Sequence, residues 1–66
     1  MQWTGQPLKL FRESKGLTPH DMSAKLKVTK SRYYKVEYGL RKPTSEFMRK
    51  VKEGFNVYVD DVFFPK

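Results

Sequence analysis

The chain has 66 residues, of which 14 are Lys or Arg and seven are Asp or Glu, so its net charge is +7. At this length it forms one domain that buries only about 60% of the surface of its unfolded chain, which leaves no room for an enclosed substrate pocket. It lacks cysteine, which excludes disulfides and thiolate metal sites and makes a reducing cytoplasm the simplest compartment, and its apolar runs are too short for a transmembrane segment or a signal peptide.

The N-terminal residues 1–7 are predicted to form a short arm of a single domain that spans residues 1–66. A glycine and Pro7 discourage helix there until Pro7 can occupy the first turn of one. Trp3 is expected to fold back over the core. The first helix then begins at Leu8, and a glycine ends it after about two turns.

Two short helices with a tight connection follow. Thr18-Pro19 starts the second helix, because threonine accepts a hydrogen bond from a free amide and proline has no amide to leave unpaired. This helix runs to about Leu26, and Thr29 caps a third helix over residues 30–38. Two short helices so joined form a helix-turn-helix arrangement. Their inward side chains are predicted to be Met22, Ser23, Leu26, Tyr33 and Val36.

A fourth helix and a short fifth complete a compact, all-α, five-helix fold. Thr44 or Ser45 caps the fourth helix, and Glu46 in its first turn suits the helix dipole. The inward stripe of this helix has residues four positions apart: Phe47, Val51 and Phe55. The fifth helix is predicted over residues 59–64.

Half of the basic side chains lie within eighteen residues. The segment 25–42 contains only one acid, Glu37, so it carries a net charge of +6. Its basic residues are Lys25, Lys27, Lys30, Arg32, Lys35, Arg41 and Lys42. Placing this charge on one capped helix and its following loop suits a DNA-binding surface. For Lys25 and Lys27, a merely solvated basic face is an equal alternative.

Four segments, in order and spacing, resemble the phage repressor and Cro family of helix-turn-helix transcription regulators. They are residues 8–18 (LKLFRESKGLT), 22–29 (MSAKLKVT), 36–43 (VEYGLRKP) and 57–63 (VYVDDVF). The resemblance implies five helices, with the third in the DNA major groove. It also implies a double-stranded operator with two-fold-related half-sites about 34 Å apart, bound by a homodimer at least on DNA, and no cofactor.

The resemblance carries a set of DNA-contacting positions onto this sequence. They are Thr18, Thr29, Lys30, Ser31, Arg32, Tyr34, Lys35, Tyr38, Arg41 and Lys42. Among these, Thr29, Lys30, Ser31 and Lys35 fall where family members contact base edges. Lysine donates to guanine O6 and N7, so we predict at least one G·C pair in each half-site.

The sequence departs from the family pattern at two positions. Pro19 stands where the family often has a glutamine that supports the recognition helix and touches phosphate. Lys27 stands in the turn where the family often has glycine; a left-handed lysine there would be strained. The resemblance also implies a structural ion pair between Arg12 and Glu37, whose loss would destabilise the fold.

Neither an enzyme nor a metal site is predicted. His20 is the only histidine and has no paired carboxylates near it in sequence, and Asp60-Asp61 is typical of a helix start. A basic amphipathic helix on a lipid surface is a weaker interpretation, because the apolar residues of the third helix are needed for the core.

The main alternative is a small antirepressor of the same fold that binds and inactivates a partner repressor protein. Pro19 and the aromatic Tyr34 and Tyr38 fit that hypothesis, because aromatic side chains favour protein interfaces. Phe63 and Phe64 point about 100° apart on a helix and cannot easily both enter a small core, so one of them is predicted to mark a dimer or partner surface.

Overall fold

The computed structural model describes residues 3–64, in which all regular structure is helical. The five helices are α1 (Gln6–Ser14), α2 (Pro19–Leu26), α3 (Lys30–Glu37), α4 (Ser45–Phe55) and α5 (Val59–Phe63). This confirms the predicted all-α, five-helix fold. Among the described residues, no helix has both the length and the apolarity needed to cross a membrane.

The start of α1 corrects one predicted boundary. The helix begins at Gln6, two residues before the predicted start, because the amides of a first turn need no intrahelical partner and Pro7 fits there. The predicted arm of residues 1–7 therefore ends at Gly5. Its first two residues lie outside the described part of the chain.

Three threonines set the starts of the middle helices. The hydroxyls of Thr18, Thr29 and Thr44 each accept a hydrogen bond from the backbone amide three residues later, at 3.1, 3.2 and 3.1 Å. Asp21 completes a capping box, since its Oδ2 accepts from the Thr18 amide at 3.1 Å. Each cap stabilises its helix by about 1 kcal/mol. Of the two predicted caps of α4, Thr44 is the one used.

The buried core draws on every helix. Its apolar members are Leu8, Met22, Leu26, Tyr33, Val36, Phe47, Val51, Val62 and Phe63. The inward positions predicted for α2 and α3 are confirmed, including the small Ser23. In the predicted stripe of α4, Phe47 and Val51 are buried and Phe55 is partly buried.

Phe63 and Phe64, the two candidates for a dimer or partner surface, differ in burial, which leaves Phe64 as the candidate. It is only 2% exposed, whereas Phe64 is 54% exposed. The Phe63 ring lies 5.7 Å from that of Trp3 and 6.3 Å from that of Phe47, measured between centroids. Trp3 folds back as expected and covers Phe63, so both Val62 and Phe63 are buried although they are adjacent on α5. Of the predicted pair, only Phe64 is free to contact a partner.

Candidate nucleic-acid interface

A tight turn joins α2 to α3. Lys27 has φ 59° and ψ 43°, which is the left-handed conformation that glycine adopts without strain. The amides of Lys27 and Val28 donate hydrogen bonds to carbonyls of α2, at 3.2 Å to Ala24 and 3.0 Å to Ser23. This closed turn, with the partly buried Val28 packed on the core, sets how α3 leaves α2.

The two sides of α3 differ in burial. Tyr33 and Val36 are buried and anchor the helix to the core. The remaining side leaves the polar residues Thr29, Lys30, Ser31, Arg32 and Lys35 exposed. A helix held from one side in this manner can present its other side to a groove of DNA.

Tyr34 and Tyr38 form an aromatic pair one turn apart on α3 and its C-terminal cap. Their ring centroids are 5.4 Å apart, and Tyr34 also lies 6.4 Å from Tyr33. Tyr34 is half-buried, while Tyr38 is 65% exposed. The Tyr34 ring is therefore partly occupied by intramolecular packing, and Tyr38 is the more accessible of the two.

A cleft of about 450 Å³ lies between α3 and the loop that follows it. It is lined by Thr29, Ser31, Arg32, Lys35, Val36, Arg41, Lys42, Thr44 and Phe47. Four of these are basic, and none of the described lining residues is acidic. Such a surface attracts a phosphate backbone.

The structure brings six of the ten predicted DNA-contacting residues to this cleft, on α3 and its loop. Four predicted residues do not line the cleft. Lys30 and Tyr34 lie on α3, Tyr38 is its C-terminal cap, and Thr18 is the N-terminal cap of α2. Thr18 is exposed at the start of α2, and its hydroxyl accepts a hydrogen bond from the Asp21 amide.

The sequence predictions did not include Thr44 and Phe47 in the site. Local pattern identified Thr44 as a cap and Phe47 as a core residue, and both are so used. That they also line the cleft depends on how α4 approaches α3, for which no local signal exists.

A buried polar cluster holds the end of α3. Arg12 Nε lies 2.7 Å from Glu37 Oε1, and Arg12 Nη1 donates to the carbonyl of Leu17 at 2.8 Å. Tyr33 donates its hydroxyl to the same oxygen of Glu37 at 3.4 Å. This is the ion pair that the resemblance implies, and it ties α1 to α3.

The ionisation of this cluster follows from its burial. Burial lowers the pKa of Arg12, but the hydrogen bond and the charge of Glu37 outweigh burial, so the net pKa is raised. Burial, and then the charge of Glu37, raises the pKa of Tyr33 well above its ordinary value. Tyr33 therefore stays neutral and keeps its proton for the hydrogen bond.

The residues considered and rejected as metal ligands in the sequence lie on separate helices. His20 and the pair Asp60-Asp61 are exposed on different helices. Within residues 3–64, no three His, Asp or Glu side chains are grouped as metal ligands.

Comparison with known proteins supplies the family. A model of a helix-turn-helix family, of the Cro/C1 type, matches residues 8–62 and so extends from α1 to α5. No curated protein and no solved structure matches the chain. The matched region is most of the sequence and contains every residue that lines the cleft. The chain therefore belongs to the Cro/C1-type helix-turn-helix family of DNA-binding transcription regulators.

Proposed function

We propose that this protein is a sequence-specific, Cro- or repressor-like regulator that reads the major groove of a double-stranded operator with α3. The observation that carries the proposal is the two-sided character of α3. Tyr33 and Val36 fix one side in the core, while Lys30, Ser31 and Lys35 stand exposed on the other. The core holds the helix from one side, and the exposed polar side chains can reach base edges.

The exposed side chains of α3 carry donors suited to bases. The ammonium groups of Lys30 and Lys35 can donate to O6 and N7 of guanine, and the Ser31 hydroxyl can pair with several bases. Thr29 accepts a hydrogen bond from the Arg32 amide, so its hydroxyl proton remains available. We therefore expect at least one G·C pair in each half-site.

Residues around α3 would bind the phosphate backbone. Arg41 and Lys42 line the cleft beside the helix, and Arg32 joins them from α3. Thr18 and Tyr38 are exposed at the start of α2 and the end of α3. These contacts position the helix and make affinity fall as salt rises, without specifying sequence.

A two-fold operator would be bound by two copies of the chain. We propose a homodimer at least on DNA, acting in the cytoplasm on half-sites roughly 34 Å apart. Phe64, exposed after α5, is the candidate for a contact between the copies. Occupancy of the operator would then repress or activate the neighbouring gene.

Selection from a random duplex DNA pool at about 150 mM salt tests this proposal; at that salt, purely phosphate-based binding is weak. The wild type is compared with a Lys30→Ala, Lys35→Ala double variant. A Lys9→Ala, Lys52→Ala double variant is the matched control, because it removes the same charge from exposed positions outside α3. A two-fold motif enriched by the wild type and the control but not by the α3 variant is expected. Loss of the motif in both variants, or no motif with any protein, contradicts the proposal.

An antirepressor that binds a partner repressor is the second candidate. The observation in its favour is the exposed apolar surface beside the end of α3, where Tyr38 is 65% and Leu40 is 73% exposed. Aromatic side chains are frequent anchors of protein interfaces. This function predicts weak DNA binding without a motif, and capture of a repressor that is abolished in a Tyr38→Ala, Leu40→Ala double variant.

A further inference from the structure

The side chain of Trp3 closes the C-terminal end of α3. Its Nε1 donates a hydrogen bond to the backbone carbonyl of Val36 at 2.7 Å. That carbonyl also accepts from the amide of Gly39 at 3.1 Å. Because the last four carbonyls of a helix have no intrahelical partner, such donors hold a last turn that would otherwise fray.

The backbone of the residues that follow Trp3 also packs closely against the C-terminal end of α3. A Cβ atom on Gly5 would stand 1.8 Å from the carbonyl oxygen of Glu37, and one on Gly39 would stand 2.8 Å from that of Thr4. Both glycines also have positive φ, at 83° and 78°. The two glycines thus let residues 3–5 lie directly on the end of α3.

The basic loop leaves α3 from this same turn. The amides of Leu40 and Arg41 both donate hydrogen bonds to the carbonyl of Lys35, at 2.8 and 3.1 Å. The loop then carries Arg41 and Lys42 into the cleft. Whatever holds the last turn of α3 therefore also holds the position of these two cations.

We propose that Trp3 is a positioning residue for DNA binding. By holding the Val36 carbonyl, it keeps the last turn of α3 and the following loop in the geometry that places Arg41 and Lys42 on phosphate. The proposal rests on the proposed function, in which α3 and this loop bind DNA. Trp3 itself need not touch the DNA.

The substitution Trp3→Phe separates this role from simple packing. Phenylalanine keeps an aromatic ring against Phe63 but removes the N–H donor. The carbonyl of Val36 retains the Gly39 amide as a donor, so no buried group is left unpaired and the variant is expected to fold. Val57→Ala is the control, because Val57 is a partly buried core residue between α4 and α5.

DNA binding gives the first readout. Trp3→Phe should bind an operator selected by the wild type about fivefold more weakly, which corresponds to one ordinary hydrogen bond. Its log K against log salt should also be less steep, because the displaced loop neutralises fewer phosphates. The Val57→Ala variant should have a lower melting temperature but keep the wild-type slope. Equal affinity and slope in Trp3→Phe and the wild type would overturn the proposal.

Amide hydrogen exchange without DNA gives a second, independent readout. The amides of Leu40 and Arg41 should exchange faster in Trp3→Phe than in the wild type, and faster than in Val57→Ala. Unchanged exchange overturns the positioning role of Trp3 even if DNA binding is strong. Absence of DNA binding by the wild type instead overturns the proposed function, and with it the role of Trp3 on DNA, whatever the exchange rates.

Discussion

Arg12 and Glu37 form a nearly buried ion pair, with 2.7 Å between Nε and Oε1, that joins α1 to the last residue of α3. The side chain of Arg12 is 12% exposed and that of Glu37 only 3%. The carboxylate is thus the more deeply buried charge, and it depends on the guanidinium for compensation. One ion pair thereby contributes both to stability and to the orientation of the proposed recognition helix.

Arg12→Met is expected to destabilise the protein by about 3 kcal/mol or more, because it leaves the buried charge of Glu37 uncompensated and the Leu17 carbonyl without its donor. Glu37→Gln should destabilise the protein less than Arg12→Met, because the unpaired Arg12 is closer to solvent and still donates a hydrogen bond to the Leu17 carbonyl. Urea denaturation measures the free energy of unfolding of the two variants and the wild type.

The exposed pair Arg49–Glu53, with a 3.9 Å separation and both side chains 70% exposed, is the control. Arg49→Ala should change stability by less than about 1 kcal/mol. If Arg12→Met destabilises the protein no more than Arg49→Ala does, burial of the Arg12–Glu37 pair does not increase its contribution to stability.

Lys27→Gly is expected to stabilise the fold by up to about 1 kcal/mol. Left-handed backbone strains a residue with a Cβ atom, and relief of that strain outweighs the extra chain entropy of glycine. The melting temperature should rise by several degrees, as about 1 kcal/mol implies for a domain this small. Asn56→Gly, also at positive φ, should increase stability less than Lys27→Gly, because asparagine tolerates this conformation. Equal gains at both sites would argue against strain at Lys27.

Gly39→Ala should destabilise the protein more than Gly16→Ala does. Both glycines have positive φ, at 78° and 68°, so both variants acquire strain of about 1–2 kcal/mol. A Cβ atom at Gly39 also meets the Thr4 carbonyl at 2.8 Å, whereas one at Gly16 meets nothing within 4 Å. Thermal melts of the two variants isolate this contact. Equal losses would show that the N-terminal segment does not press on the end of α3.

An Arg41→Ala, Lys42→Ala double variant should weaken DNA binding for every sequence and make the salt dependence less steep. The slope of log K against log salt should change by about 0.9 for each phosphate that the variant no longer neutralises. Titrations at several salt concentrations measure it. An Arg49→Ala, Lys52→Ala variant removes the same charge from exposed positions outside the cleft and should change the slope less. Identical slopes for both variants would exclude the cleft as a phosphate site.

The capping box of α2 predicts a pH dependence. The hydrogen bond from the Thr18 backbone amide, followed by that from the Thr18 side chain, holds the pKa of Asp21 below its ordinary value of 3.8. Because the folded pKa is the lower one, the ionised carboxylate stabilises the fold above pH 3.8, and this contribution disappears as pH falls through the folded pKa. Carboxyl NMR titration should give the lowered pKa. The Asp21→Asn variant should lose less stability than the wild type as pH falls below about 4; parallel losses would contradict the role of this cap.

The positions of the helices and most of the core follow from local sequence patterns. Thr18, Thr29 and Thr44 act as caps through hydrogen bonds to amides only three residues away. The apolar spacing that placed Tyr33 and Val36 inward depends only on the helical period. Such short-range terms are complete within one segment, so the order of helices and the charged segment could be derived without coordinates.

The places where distant segments meet follow from the packing of whole helices and could not be read from local patterns. Phe63 is buried because Trp3 covers it from the other end of the chain, and no local period encodes that contact. The cleft likewise depends on the approach of α4, which brings Phe47 beside the basic residues of α3. The hydrogen bond from Trp3 to Val36 spans 33 positions. Contacts of this range depend on how whole helices pack together, because interlocking side chains select one arrangement among several that satisfy the same local patterns.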